Sequence, residues 1–572
     1  MYDLVIRGGT VVDGTGAPPF EADVAIIGSR ITSIDARAGL ARREIDARGR
    51  IVTPGWVDVH SHYDGQATWD PYLSPSGAHG VTTVVMGNCG VGFAPVRRNS
   101  HEWLIGLMEG VEDVPGTALA EGIRWEWESF AEYLDSLERF PRVTDVATQV
   151  PHSALRAFVM GEREAIRGTA SSEQLSQMAS IVTESVQAGA LGFSSSRTKL
   201  HLAADGSPVA GSFAELEELV ALGRATGMGG GAVFQIVSDF SNLEMDFDWL
   251  CRIAAAGDLQ VLFTLVQYDD RPSEWRQLLA MTDAARSSGV RMTPLVGNRP
   301  VGMLINLESK THPFSSHPSF APLLGLPKRE MIARLKNPDL RARLLEEDTL
   351  TTNKFWRLRM QQFDSMFRLG NPPEYEPEPE KSIGTLARRQ KRRPLEIVYD
   401  LLTENDGNEW IYLPLINYSD HSLEPQLAMM NHPDSIVGLA DGGAHCGLIC
   451  DATAPTFMLV HWVKTRRRGP RISLERAVSM QTSRTADFYG MSDRGRLLPG
   501  YLADINVIDF ENLRLAAPYW AADLPAGGRR LLQDAHGYDC TIKSGTPTWL
   551  NGEPTKALPG TLVRGRRSAG TV

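Results

Sequence analysis

The chain has 572 residues, 42% of them apolar, and a formal net charge of −11. That is enough apolar material for a large core and too much chain for one small domain. The acidic balance argues against nucleic acid as the main partner, because phosphate binding needs clustered Lys and Arg. No stretch approaches the roughly 20 continuous apolar residues of a membrane span. The five cysteines, Cys89, Cys251, Cys446, Cys450 and Cys540, are odd in number and scattered. They suggest no disulfide framework, so a reducing cytoplasm fits best.

Residues 1–53 read as short strands with glycine turns, beginning with YDLVIRGGTVV rather than a signal peptide. From about Gly495 the same style returns, with the turn and strand GYLADINVID. The two ends, 1–53 and 495–572, are expected to build one small β-sandwich domain. The middle, 54–494, alternates strands and helices. Eight strands are predicted: Val57–His62, Thr82–Gly87, Asp145–Val150, Ala190–Ser195, Ala232–Ile236, Gln260–Gln267, Arg291–Val296 and Ser435–Ala440. Helical patterns between them start with capping boxes at Ser171/Gln174 and Ser212/Glu215. Eight βα repeats describe an α/β chain folded as a (β/α)₈ TIM-like barrel. A segment at about 300–395, ending in Pro372-Pro373 and PEPE, breaks the rhythm and reads as an insertion.

In such barrels the chemistry sits at the C-terminal strand ends. Strand one ends in VDVHSH. Two histidines two apart on a strand share a face, so His60 and His62 can bind one metal ion, for which imidazole suits Zn²⁺. Strand two ends in Asn88-Cys89-Gly90, where Cys89 is placed as a thiolate ligand. Strand eight ends in Asp441-Gly442-Gly443, where Asp441 can reach a metal-bound water or cap the next helix. His152, after strand three, reads as a supporting residue more readily than a ligand.

These motifs, together with GVTTVVMGNCG, GALGFSS and GRLLPGYLAD, resemble the amidohydrolase superfamily, within its D-aminoacylase (N-acyl-D-amino-acid deacylase) group. The resemblance implies a metal-dependent barrel that hydrolyses an amide C–N bond. It implies His60, His62 and Asp441 as one metal site, with Cys89 shared between two. The family's second site takes histidines from strands five and six. Here Gln235 stands in the first place, and Leu265 or Val266 in the other. Leu and Val cannot bind a metal and Gln is a weak oxygen ligand. The expectation is therefore one Zn²⁺ ion rather than two, with other divalent metals not excluded. His445, His152 or Cys450 are the residues placed to compensate. No lysine ends strand four, and Lys199 is a weak candidate for a carboxylated bridge.

The expected mechanism has the ion lower the pKa of its water towards about 7, with Asp441 as general base. The substrate is expected to be a small, carboxylate-bearing molecule, with Arg197 and Arg299 as its anchors and His152 and His445 beside them. Two other readings stand: hydrolysis of a cyclic amide, imide or lactone on the same centre, and a non-catalytic amidohydrolase-like binding protein. A homo-oligomer is compatible with all three.

Overall fold

In the computed structural model, which describes residues 1–565, both ends of the chain meet in one nine-stranded sheet. Its order runs from Glu553–Pro554 through Thr546–Leu550, Tyr538–Lys543, Ile505–Ile508, Ile51–Pro54, Tyr2–Val11 and Phe20–Ile27 to Arg30–Asp35. The strand Ala41–Asp46 adds parallel to Tyr2–Val11. The seam between the two ends is antiparallel, with Ile505 opposite Pro54 and Ile508 opposite Ile51. Alternate residues, among them Leu4 and Ile6, Val24 and Ile26, and Ile505 and Val507, bury one apolar face. The last seven residues of the segment assigned to this unit lie outside the described residues.

Each of the eight expected strands of the middle segment is present. Trp56–Asp58, Val81–Met86 and Asp145–Thr148 pair in parallel. After Gln149 the third strand resumes as Val150–Pro151 and pairs with Gly192–Arg197. Val233–Ser238, Gln260–Thr264, Arg291–Gly297 and Ile436–Gly438 follow, each parallel to the one before. A parallel bridge between Ser61 and Gly442 joins the chain beyond the eighth strand to the chain beyond the first. Val57, Val85, Ala147, Leu191, Val233, Leu262, Leu295 and Ile436 form one inner apolar cluster. Phe193, Phe234, Phe263 and Val296 belong instead to the large cluster shared with the helices. Both faces are buried, which is why these strands read as near-continuous apolar runs.

The helix Ser172–Ala188 carries the predicted capping box at Ser171 and Gln174. The second predicted box does not form: that helix is Leu216–Met228, with Glu215 at its N-cap. Residues 209–214 are held in tight turns instead, with Ser212 N donating to Val209 O and Ala214 N to Gly211 O. The inserted unit also differs from its expected bounds. Val301–Ile305, Ile411–Ile416 and Phe367–Arg368 form an antiparallel sheet. Val301 pairs with Ile416, so the insertion closes at 416 rather than near 395. Pro414 hides this strand in the sequence; it is accommodated where the register shifts between Val301 and Gly302. The unit has its own core, including Met303, Ile305, Ile332, Leu344, Val398 and Leu413.

A buried ion cluster ties the composite sheet to the third strand. Asp145 receives Arg494 Nη1 at 2.5 Å and lies 2.9 Å from Lys543 Nζ, which also meets Asp504 at 2.9 Å. Among the described residues no helix is long and apolar enough to cross a membrane.

Candidate metal centre

Regular pairing of the first strand stops at Asp58, and His60 and His62 lie just beyond it. Their backbone stays fixed on both sides. Ser61 N donates to Val85 O (3.1 Å), Asp441 N donates to His60 O (3.1 Å), and His62 N donates to Gly442 O (2.8 Å). This pairing carries Asp441 to the two imidazoles. It also explains the glycines after Asp441. A Cβ at Gly442 would stand 2.6 Å from Ser76 Oγ and 2.8 Å from the Tyr63 ring, and Gly443 has φ +90°.

Cys89 has φ +56° and sits in a turn held from four sides. Asn88 Nδ2 donates to Ser61 O (3.1 Å) and Gln149 Nε2 donates to Asn88 Oδ1 (2.9 Å). Cys89 N donates to Gln235 Oε1 (2.8 Å), and Gly90 N donates to Ser194 Oγ (3.0 Å). The turn points the thiol at His60, with Sγ 3.4 Å from Nε2.

His60 Nε2 lies 3.4 Å from Asp441 Oδ1, and His62 Nε2 lies 3.8 Å from the same oxygen. The donor atoms of His60, His62 and Cys89 are all within 4.8 Å of one another. Burial holds both imidazoles neutral: His60 falls to about 3 and His62 well below its ordinary value. Burial also pushes up the Asp441 carboxyl and the Cys89 thiol, with neighbouring acids adding to the effect. Among the described residues no Lys or Arg forms an ion pair with Asp441. The buried His60 Nδ1 has no hydrogen-bond partner. Neutral imidazole, thiolate and carboxylate are the ligands zinc takes, and a divalent cation supplies the positive charge this group of acids lacks. The residues present fit such an ion.

The amidohydrolase family profile matches residues 43–553. The chain belongs to the amidohydrolase family. It is 35% identical over 194 residues to a D-aminoacylase of Alcaligenes xylosoxydans xylosoxydans, covering 34% of this chain and 37% of that protein. The match thus spans about a third of that relative's length. The fold is similar to that of a D-aminoacylase whose binuclear metal centre shows one-metal activation and second-metal attenuation (TM-score 0.64, 22% identity, 99% of this chain and 100% of that one). It is also similar to the N-acyl-D-glutamate deacylase of Bordetella bronchiseptica in complex with zinc and a phosphonate inhibitor (TM-score 0.64, 22% identity, 98% and 99% covered). These two likenesses establish an α/β fold of the amidohydrolase type.

Against this amidohydrolase frame the other predicted residues divide. His445 joins the centre, with Nε2 4.0 Å from Asp441 Oδ2. Gln235 stands beside Cys89, its side-chain oxygen occupied by the Cys89 N–H. Leu265 is turned away: it belongs to the helix-facing cluster. The strand's period places Thr264, and not Leu265, on the inner face with Leu262.

His152 is not at the centre, which corrects its expected place near substrate. It is fully buried, with Nδ1 2.8 Å from Ser195 Oγ and Nε2 2.8 Å from Glu218 Oε1. Arg299 is not free to meet a carboxylate either. Nε and Nη2 donate to Asp451 Oδ1 (2.9 and 2.7 Å), Nη1 donates to Thr453 Oγ1 (2.7 Å), and the guanidinium lies over Tyr375. Arg197 shares its strand face with Phe193 and Ser195, the side turned to the helices. It donates to Ala214 O (2.7 Å) and covers the Trp249 ring. Lys199 is exposed.

Two residues at the centre escaped the sequence reading. Glu112 ends the helix His101–Glu112, with Oε1 3.4 Å from His62 Nδ1. His201, in the loop after the fourth strand, is held by Ser196 Oγ at 3.0 Å from its Nδ1 and is close enough to depress His60. Exposure marks the open side: the side chains of His445 and Asp441 are 24% and 11% exposed, that of His60 2%.

Proposed function

We propose that this chain is a zinc-dependent amidohydrolase working with one ion. It cleaves a linear amide C–N bond and deacylates an N-acyl-D-amino acid or a similar N-acyl compound. The observation that carries this is the Asp441 carboxylate set against both imidazoles of the H-x-H pair, 3.4 and 3.8 Å away. Family membership supports the bond type, and the partial likeness to D-aminoacylase supports the substrate class. We read the eight parallel strands as a closed (β/α)₈ barrel over 54–494 with the inserted unit at its seventh connection. The composite sheet is read as a β-sandwich domain of 1–53 and 495–572.

His60, His62 and Asp441 would hold the ion, with Cys89 joining. A bound zinc ion supplies Lewis acidity and a water of lowered pKa. Asp441, on the open side, is placed to accept the proton of the attacking water and to return it to the leaving nitrogen. His445 and His201 are neutral at pH 7, both held near 4 by burial, so each offers an N–H to a substrate oxygen. One ion rather than two is supported by Gln235, a weak oxygen ligand whose Oε1 already accepts from Cys89 N, and by Thr264 and Leu265 at the end of the sixth strand.

The test joins metal analysis to assay. The purified chain is expected to hold one zinc ion, lost in His60→Ala and His62→Ala, and to hydrolyse some member of a panel of N-acetyl-D-amino acids. In Asp441→Asn, kcat should fall by about 10²–10⁴-fold at full zinc occupancy, the range of general-base catalysis. Activity on cyclic imides alone removes the deacylase reading. A protein that folds without binding zinc, and is inactive on both panels, removes the enzyme.

A further inference from the structure

The helix His101–Glu112 ends in a buried acid that the proposed reaction does not use. Leu104, Leu107 and Met108 form its buried face, and Glu112 takes the next place on it. The Glu112 side chain is 3% exposed, and among the described residues its only ion-pairing neighbours are histidines. Oε1 is 3.4 Å from His62 Nδ1, and Oε2 is 3.9 Å from His445 Nε2. The backbone fixes the same place. His445 N donates to Glu112 O (2.5 Å), and Gly447 N donates to Asp113 Oδ2 (2.8 Å). The end of the helix and the 441–447 loop are thus clamped together with the carboxylate between them.

His62 turns Nε2 towards Asp441 and Nδ1 towards Glu112. A neutral imidazole offers Nε2 as a lone pair only when Nδ1 carries the proton. Nδ1 has no well-formed hydrogen bond, although the Glu112 oxygen is 3.4 Å away. The distance exceeds that of an ordinary N–H···O bond, so a small closing movement completes the contact. Histidines that bind metals commonly donate their other N–H to a carboxylate, and losing that partner weakens the site.

We propose that Glu112 is the positioning residue of this centre: its carboxylate takes the Nδ1–H of His62, fixes the tautomer whose Nε2 faces the ion, and sets His445 beside Asp441. The inference rests on the metal-centre reading and assigns it a supporting residue outside the H-x-H and Asp-Gly-Gly motifs.

The test is a zinc competition titration against a chelating dye, on the full chain. The proteins are the parent, Glu112→Gln, Glu112→Ala and His60→Ala, each also melted without zinc. Glu112→Ala is expected to weaken zinc binding about 10–100-fold. Glu112→Gln keeps an acceptor oxygen and should weaken it less. Both zinc-free Glu112 variants should melt no lower than the parent, because a buried carboxyl without a cation has been removed. Parent-like affinity in Glu112→Ala beside a weakened His60→Ala overturns the role of Glu112 and leaves the centre standing. A zinc-free Glu112→Gln that melts well below the parent makes the residue structural and also overturns it. Unchanged affinity in His60→Ala overturns both readings together.

Discussion

Replacing Asp145 by Asn should uncouple the composite sheet from the strands that carry the centre. Asp145 and Lys543 are each 1% exposed at the side chain, and Arg494 6%. Oδ2 meets both cations, and Oδ1 accepts from Thr561 N (2.6 Å) and Thr561 Oγ1 (3.1 Å). Asn keeps the volume and one acceptor but removes one of the two carboxylates paired with each cation, leaving Asp493 to Arg494 and Asp504 to Lys543. Removing one partner of a buried ion pair costs about 3–5 kcal/mol. If all 572 residues unfold together, the entropy of unfolding is about 1.2 kcal/mol/K, so Tm falls by roughly 3–4 °C. If only a smaller unit melts first, the shift is larger. Burial alone would raise the Asp145 carboxyl; Lys543 and Arg494 outweigh it and hold the group below its ordinary value. A depressed carboxyl contributes stability above the unfolded value of about 4, and loses it as pH falls through the folded one. The deficit of Asp145→Asn should therefore be full at neutral pH and shrink in acid. Differential scanning calorimetry at pH 7 and below pH 4 measures both. A variant as stable as the parent at pH 7, or a deficit that grows in acid, refutes the reasoning.

Gln235→Leu should cost about 1–3 kcal/mol, because it leaves the buried Cys89 N–H without an acceptor. Its zinc count should stay at one; a lower count by metal analysis would make Gln235 a ligand. Arg299→Met should destabilise by roughly 3 kcal/mol, since it strands the buried Asp451 carboxylate. KM of the folded variant should be unchanged, and a raised KM at parent-like Tm would restore Arg299 as a substrate anchor.

The strands were legible because both faces of a buried parallel sheet are apolar, so eight short runs stand out between helical patterns. His60, His62 and Cys89 were legible because strand parity and a flanking glycine place them before any contact is known. On strand six, period 2 and the family resemblance point to different residues. Leu262 faces inward, so period 2 turns Thr264 inward and Leu265 outward, while similarity to the family drew attention to Leu265 or Val266. Glu112 left a signal in an acid at i+8 from Leu104 and i+4 from Met108, on the buried face of an amphipathic helix. Arg299 could not be read. A forked cation at a strand end looks the same whether its carboxylate comes from a substrate or from Asp451, more than 150 residues later.

The centre is costly to build before any ion arrives. Cys89, Leu439, Asp441 and His445 all have positive φ, at 56°, 59°, 41° and 53°. Such backbone costs of order 1 kcal/mol or more per residue and persists only where surrounding structure imposes it. Here the imposing structure is named: Gln235 on Cys89 N, His60 O on Asp441 N, and Glu112 O on His445 N. Each strained residue except Leu439 is therefore held by a hydrogen bond from a different element; Cys89 and Asp441 present proposed metal ligands, and His445 stands beside Asp441. The same backbone that strains the turns gathers Asp441, Cys89 and Glu112 where, among the described residues, no Lys or Arg forms an ion pair with either carboxylate. A fold selected only for stability would relax these turns or supply a cation from its own chain. Strain and unmatched acidity coincide on one small set of side chains, which is the arrangement expected where a divalent ion completes the site.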